Sequence, residues 1–181
     1  MKRYYITDRN AAGGFRPLLE IIRDQIHMGV DYIQIREKDL SARELFEFSL
    51  AVLEVRQEVK AKSHTKVLLN TRADIAMAIG ADGVHLPSDA PVETLPGLLV
   101  ARSCHTIDEI RLAQADFVVF SPIFQGHNNA SGVGLDQLRL ACRVGKHVFA
   151  LGGVTWDNAE QCMAAGAEGI AGIRLFQDPT L

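Results

Sequence analysis

The chain has 181 residues, of which 48% are hydrophobic and 23% are charged. This size and composition predict one globular domain with a sizeable core. The net charge of −3 argues against nucleic-acid binding, and no apolar run approaches the roughly 20 residues that a membrane-spanning helix needs.

Short apolar segments alternate along the chain with amphipathic ones, and this alternation predicts strands that are each followed by a helix. The predicted strands are Arg3–Thr7, Tyr32–Arg36, Lys66–Leu69, Gly83–His85, Leu99–Ser103, Phe117–Phe120, His147–Ala150 and Gly169–Ala171. The predicted helices are Pro17–Met28, Ala42–Lys60, Ala73–Ile79, Ile107–Ala113, Gly134–Cys142 and Trp156–Ala165. Strands and helices that alternate in this way are typical of a parallel sheet.

A recurrent joint, in which a glycine ends a helix and a new strand follows, occurs at Gly29, Gly80 and Gly166. With eight predicted strands, it indicates an α/β protein folded as a single-domain (β/α)8 TIM barrel over residues 1–181. The chain is short for this fold, and we expect the final helix to be truncated or absent. An open doubly wound sheet is the alternative, although no strand is followed by a GxGxxG fingerprint.

The cysteines and the N-terminal sequence bear on the compartment. Cys104, Cys142 and Cys162 lie far apart and show no CxxC spacing, so we expect reduced thiols and no zinc site. The first residues enter a strand pattern directly and lack the apolar stretch of a signal peptide. Both observations predict a cytoplasmic protein.

The most informative segment for function is 32–39, with the sequence YIQIREKD. Side chains of a strand alternate between its two faces, so Gln34, Arg36 and Lys38 are predicted to point the same way. An amide and two cations at the end of an apolar strand are costly to bury without a partner, and a phosphate or diphosphate suits them. A solvated edge strand is the alternative interpretation.

Polar residues also follow other predicted strands, at the end of the barrel where such proteins build their sites. Gly152 and Gly153 permit an anion to approach backbone N–H groups ahead of a helix. Asp89, near Asn70, carries the oxygen ligands that Mg²⁺ prefers, although it could instead cap the following segment.

Two histidines receive different interpretations. His105 follows strand five together with Ser103, a position suited to general acid/base catalysis, and its alternative is a structural place before the next helix. His85 is interpreted as a core residue or as a support behind the site. Strand eight leads into Arg174.

In this order, the motifs resemble those of the thiamine phosphate synthase/TenI-like thiazole tautomerase family. They are 34–39 (QIREKD), Asn70, 80–86 (GADGVHL), 103–106 (SCHT), 150–154 (ALGGV) and 166–171 (GAEGIA). The resemblance extends over essentially the whole chain and implies a TIM barrel.

For the synthase, the resemblance implies that hydroxymethylpyrimidine diphosphate and hydroxyethylthiazole phosphate are joined and that diphosphate leaves, with Mg²⁺ as cofactor. It implies that Arg36 and Lys38 act in catalysis by stabilising charge on the leaving diphosphate; His105 is the third predicted catalytic residue, from its position after strand five, and Asp89 is the predicted metal ligand. The predicted substrate-binding residues are Gln34, Arg36, Lys38, Asn70, Ser103, His105, Gly152, Gly153 and Arg174, the last as a cation for phosphate where the family usually has Ser. The implied partners are these small phosphorylated metabolites, without nucleic acid or membrane, and a homodimer is compatible with the sequence.

The sequence departs from the synthase pattern at four places. Thr71 stands where an acidic residue is usual, Pro87-Ser88 replaces Gly-Gln, and Arg174 replaces Ser. Residues 126–129 (GHNN) replace a Thr-Pro-Thr-Lys run that grips diphosphate. Two alternatives therefore stay open beside the synthase: a TenI-like thiazole tautomerase that uses His105, and a non-catalytic barrel that binds a phosphorylated metabolite of the thiamine pathway.

Overall fold

The computed structural model describes residues 1–59, 64–91, 95–125 and 131–178. Within these ranges eight parallel strands close into a barrel in chain order, and the last strand pairs with the first. The strands are β1 (Lys2–Ile6), β2 (Tyr32–Ile35), β3 (Lys66–Asn70), β4 (Gly83–Leu86), β5 (Leu99–Cys104), β6 (Phe117–Phe120), β7 (Val148–Ala150) and β8 (Gly169–Gly172). The predicted closed (β/α)8 barrel is confirmed, and the open sheet is excluded.

Helices lie between the strands along the described chain. They are α1 (Arg9–Ala12), α2 (Phe15–His27), α3 (Ala42–Glu58), α4 (Ala73–Ile79), α5 (Ile107–Leu112), α6 (Gly134–Cys142), α7 (Ala159–Ala164) and α8 (Arg174–Gln177). The bounds of α4 and α6 agree with the prediction. Helix α8 has four residues, which agrees with the expected truncated final helix.

One helix was missed, and several predicted bounds need correction; α2, for example, is Phe15–His27 and not Pro17–Met28. Helix α1 was not predicted, because its four residues are too few to show a helical period; the Asp8 side chain caps it by accepting from the N–H groups of Asn10 and Ala11. Helix α7 begins at Ala159 rather than at Trp156. There the Asn158 side chain accepts from the N–H of Thr155, which closes a polar turn in place of a first helical turn.

The interior of the barrel is apolar at one end and polar at the other. Tyr4, Tyr32, Phe117 and Phe149 pack against one another, with ring centroids between 4.8 and 6.1 Å apart. Further along the strands, Gln34 faces the same interior, where it is paired in register with Ile6 and Leu68. The aromatic cluster therefore occupies one part of the interior, and Gln34 lies beyond it toward the ends of the strands. In the described ranges no helix is long and apolar enough to cross a membrane.

Candidate active site at the carboxyl ends of the strands

The predicted polar strip, which consists of Gln34, Arg36 and Lys38, lies at the end of β2. Gln34 is only 2% exposed, and its amide nitrogen donates to Asn70 Oδ1 over 2.9 Å. Strand β2 ends one residue before Arg36, whose backbone N–H donates to Thr7 Oγ1 at 2.9 Å. Lys38 lines an open cleft of about 380 Å³ that Asn70 also lines. The structure therefore joins Gln34 to Asn70 and places Lys38 on the cleft that Asn70 lines. Because β2 ends at Ile35 and not at Arg36 as predicted, the strand alternation that was expected to align Arg36 and Lys38 with Gln34 does not extend to them.

A network that the sequence analysis missed determines which charges of this segment are already paired. Glu37 is buried and accepts from Thr7 Oγ1 at 2.6 Å and from the backbone N–H of Arg9 at 3.1 Å. The Arg9 guanidinium binds both oxygens of Asp39 at 2.6 Å, and this hydrogen bond lowers the pKa of Asp39. In contrast, Arg36 and Lys38 form no ion pair with any described residue.

The end of β3 is strained. Thr71 has a φ of +62°, which is an outlier for a β-branched residue. The N–H of Arg72 donates to the Asn70 carbonyl at 2.8 Å, so Thr71 is the central residue of a tight γ-turn. Strain of this kind is typical of functional sites.

Asp89 lies beyond the end of β4 on a second cleft of about 420 Å³, and Thr71 lines both clefts. The carboxylate of Asp89 is exposed and is bonded to none of the described residues. Across those residues no group of three or more His, Cys, Asp or Glu side chains is placed to hold a metal. The cleft offers Mg²⁺ the carboxylate of Asp89 and the hydroxyl oxygen of Thr71, a small set that fits this ion only because it retains waters and shares substrate phosphates.

His105 follows β5 and is exposed at the mouth. Its Nδ1 is 2.9 Å from the carbonyl oxygen of Ser121, and since a carbonyl only accepts, Nδ1 carries the hydrogen. Its backbone N–H donates to Glu109. In the neutral ring the remaining nitrogen, Nε2, is then a hydrogen-bond acceptor that faces no described partner.

His85 lies inside the barrel and joins Tyr4 to Ser103. Its Nδ1 is 2.9 Å from the Tyr4 hydroxyl, and its Nε2 is 2.8 Å from Ser103 Oγ. Burial, with a smaller effect of the Arg36 charge, lowers the pKa of His85 to about 3. The ring is therefore neutral at physiological pH, and its interpretation as a support behind the site agrees with this placement.

Gly152 and Gly153 follow β7 with φ of +97° and +67°. A Cβ on Gly152 would lie 2.7 Å from Pro122 Cα, and one on Gly153 would lie 2.8 Å from the backbone nitrogen of Gln125. Both positions therefore require glycine for packing as well as for conformation. Their N–H groups donate to no other described residue, and Arg174 is exposed at the neighbouring end of β8. The predicted loop motif at residues 126–129 lies outside the described residues.

Together, the fold and these strand ends define a TIM-barrel protein whose mouth carries cationic, amide and backbone N–H groups suited to anionic ligands. The sequence matches the thiamine monophosphate synthase family over residues 3–176, and the chain belongs to that family.

Relatives and solved structures agree with this assignment. The thiamine-phosphate synthase of Moorella thermoacetica is 36% identical over 92% of this chain and 84% of its own length. That of Clostridium novyi is 34% identical over 94% of this chain and 87% of its own length. The structure of a thiamine phosphate pyrophosphorylase from Pyrococcus furiosus has a TM-score of 0.82 and 30% identity, over 96% of this chain and 85% of that one.

Proposed function

We propose that the chain is a thiamine-phosphate synthase, a transferase that joins hydroxymethylpyrimidine diphosphate to hydroxyethylthiazole phosphate and releases diphosphate. The observation that carries this proposal is the pair of cations Arg36 and Lys38, which have no carboxylate partner in the described chain although Glu37 and Asp39 lie beside them. Because Arg9 holds both acids, the positive charge at the mouth remains available for an anionic substrate.

Each residue of the strip has a proposed part in the reaction. Arg36 and Lys38 stabilise the charge that grows on the diphosphate as its bond to the pyrimidine breaks. The Gln34 amide nitrogen is bound to Asn70, so its carbonyl oxygen is oriented to accept from an amino group of the pyrimidine. Ser103 and His105, at the carboxyl end of β5, contact the substrate from another side of the mouth.

The second substrate has a different proposed place. The N–H groups of Gly152 and Gly153 bind the phosphate of the thiazole, and Arg174 adds a positive charge beside them. This arrangement puts the two phosphorylated ends at separate parts of the mouth, so the thiazole nitrogen can approach the pyrimidine carbon between them.

Asp89 is the proposed ligand of Mg²⁺, with the hydroxyl oxygen of Thr71 on the same cleft. When bound, the ion supplies further neutralisation of the diphosphate charge. The tautomerase alternative would rely on His105, whose Nε2 is an acceptor, but the relatives named above are synthases and do not favour it. From the free cysteines we also propose a cytoplasmic location, and a homodimer stays a prediction.

The test is a coupling assay in which the purified protein receives both substrates and Mg²⁺ and the formation of thiamine phosphate is measured. Asp89→Asn keeps the side-chain shape but removes the charge, so we expect coupling to fall about tenfold or more and the Mg²⁺ concentration for half-maximal rate to rise. Asp108→Asn, an exposed acid on α5, is the control and should match the parent protein.

The opposite result is equally specific. Suppose that the parent protein tautomerises the thiazole at a rate that chelators leave unchanged, and that His105→Ala reduces this rate by about 10²–10⁴-fold. The synthase assignment is then overturned in favour of the isomerase.

A further inference from the structure

Three polar side chains form a continuous hydrogen-bonded chain across the barrel interior. The Tyr4 hydroxyl, which is 0% exposed, bonds to Nδ1 of His85, and Nε2 of the same ring bonds to Ser103 Oγ. Tyr4 lies within the aromatic cluster on β1, whereas Ser103 lies near the end of β5 at the mouth. These hydrogen bonds thus link the aromatic cluster in the interior to the candidate active site.

The positions of the hydrogens follow from this chain of partners. Among the described residues, the Tyr4 hydroxyl bonds only to His85. If Tyr4 accepted from Nδ1–H, its own buried hydrogen would have no acceptor, which is costly. Tyr4 therefore donates to Nδ1, and the neutral ring carries its hydrogen on Nε2 and donates to Ser103 Oγ.

Ser103 is thereby left with a defined role. Its oxygen accepts from Nε2–H, so its own hydrogen cannot point at His85 and is directed elsewhere. We infer that His85, held in the Nε2–H form by Tyr4, is a positioning residue that makes the Ser103 hydroxyl a donor to an oxygen of the substrate diphosphate. This inference rests on the proposed substrate-binding role of Ser103.

The electrostatic surroundings agree with an anionic acceptor. Arg36 is near enough for its charge to contribute to the lowered pKa of His85. A protonated ring beside Arg36 would place two cations together in the interior, whereas a neutral ring acts on the substrate only through the oriented hydroxyl. The hydroxyl and the guanidinium then serve the same diphosphate.

The tautomer can be read directly from the ¹⁵N chemical shifts of the His85 ring in the intact protein. We expect a pyridine-like Nδ1 and a pyrrole-like Nε2. Tyr4→Phe removes the donor to Nδ1 and should shift the Nδ1 resonance. Tyr5→Phe is the matched control, because Tyr5 is equally buried but its hydroxyl has no partner in the described chain. A hydrogen on Nδ1 in the parent protein would overturn the inference.

The kinetic test uses two variants that differ in where they keep an amide donor. His85→Gln keeps a donor near the position of Nε2, and we expect kcat/KM for the diphosphate substrate to stay within about threefold of the parent value. His85→Asn keeps one only near Nδ1, so the same quantity should fall about tenfold. KM for the thiazole phosphate should be unchanged in both, which a general loss of structure would not allow.

Ser103→Ala distinguishes the proposed binding role of Ser103 from the positioning role of His85. If it leaves coupling unchanged, the proposed binding role of Ser103 fails, and the inference fails with it. If Ser103→Ala is defective but His85→Asn matches the parent, only the positioning role of His85 is overturned. If both roles hold, the double variant should have nearly the same kcat/KM as Ser103→Ala alone, because the two side chains act through one hydroxyl.

Discussion

At the scale of single residues, the charges at the mouth depend on ion pairing and on burial. Arg9 holds Asp39 with two hydrogen bonds and lies 3.4 Å from Glu37, so two acids beside the cationic strip are already paired. His85 shows the opposite effect, since burial removes its charge. The sign of the electric field at the site therefore depends on partners outside the sequence motif.

The buried histidine predicts a pH dependence of stability. The unfolded chain binds a proton at His85 near the ordinary pKa of 6.5, whereas the folded chain binds it only near pH 3. Between these values the unfolded state holds more protons, so the free energy of unfolding should fall as the pH is lowered, by up to about 1.4 kcal/mol per pH unit. Above pH 6.5 this contribution is constant.

Urea unfolding of the parent protein and of His85→Gln, measured between about pH 4.5 and 7.5, isolates this effect because all other titrating groups are shared. The parent should lose stability relative to the variant as the pH falls. Curves that remain parallel across this range would show that His85 does not lose its charge on folding.

At the scale of elements, the ends of β1 and β2 are tied together by one side chain. Thr7 Oγ1 accepts from the N–H of Arg36 and donates to Glu37, and Thr7 is fully buried. The hydroxyl thus holds the backbone at the point where β2 ends and the cationic strip leaves the strand.

Thr7→Val replaces this hydroxyl by a methyl group of similar size, leaves the part-buried N–H of Arg36 without its acceptor and removes one donor from the buried Glu37, which keeps Arg9. We expect a loss of about 2–3 kcal/mol in the free energy of unfolding and a lower kcat/KM for the diphosphate substrate, because Arg36 is no longer held. Thr65→Val is the control: Thr65 is also buried and donates to the Val30 carbonyl. It should cost stability without changing kcat/KM, and equal kinetic effects would contradict the proposed role of Thr7.

At the scale of the whole molecule, the barrel closes where β8 meets β1. Gly169 lies in register with Lys2 on β1 and Phe149 on β7. A Cβ at this position would lie 2.4 Å from the Lys2 carbonyl oxygen and 2.6 Å from Phe149 Cε1. Closure at this seam therefore leaves no room for a side chain.

Gly169→Ala should destabilise the fold by about 3 kcal/mol or more, since the obstacle is partly backbone and cannot turn away. Gly145→Ala is the control, because Gly145 has a φ of +88° but open space around it and should cost only about 1–2 kcal/mol of backbone strain. Thermal or urea unfolding measures both. Equal losses for the two variants would mean that strand closure tolerates the methyl group.

Much of the fold could be predicted because local patterns encode it. The alternation of apolar strands with amphipathic helices predicted the barrel, and the bounds of α4 and α6 were correct. Glycine caps such as Gly80, with a φ of +69°, were visible as punctuation. Helix α1 could not be predicted, because it has too few residues to show a helical period. The start of α7 was predicted too early, because a side-chain hydrogen bond forms a turn there.

By itself the sequence determined the order of the elements, the barrel class and the presence of cations at the end of β2, all of which depend on neighbours in the chain. The tertiary structure alone decided that Arg9 pairs both nearby acids and that His85 joins Tyr4 to Ser103. His85 is 81 residues from Tyr4 and 18 from Ser103. Such contacts depend on the register of eight strands around a closed barrel, which emerges only when all of them pair.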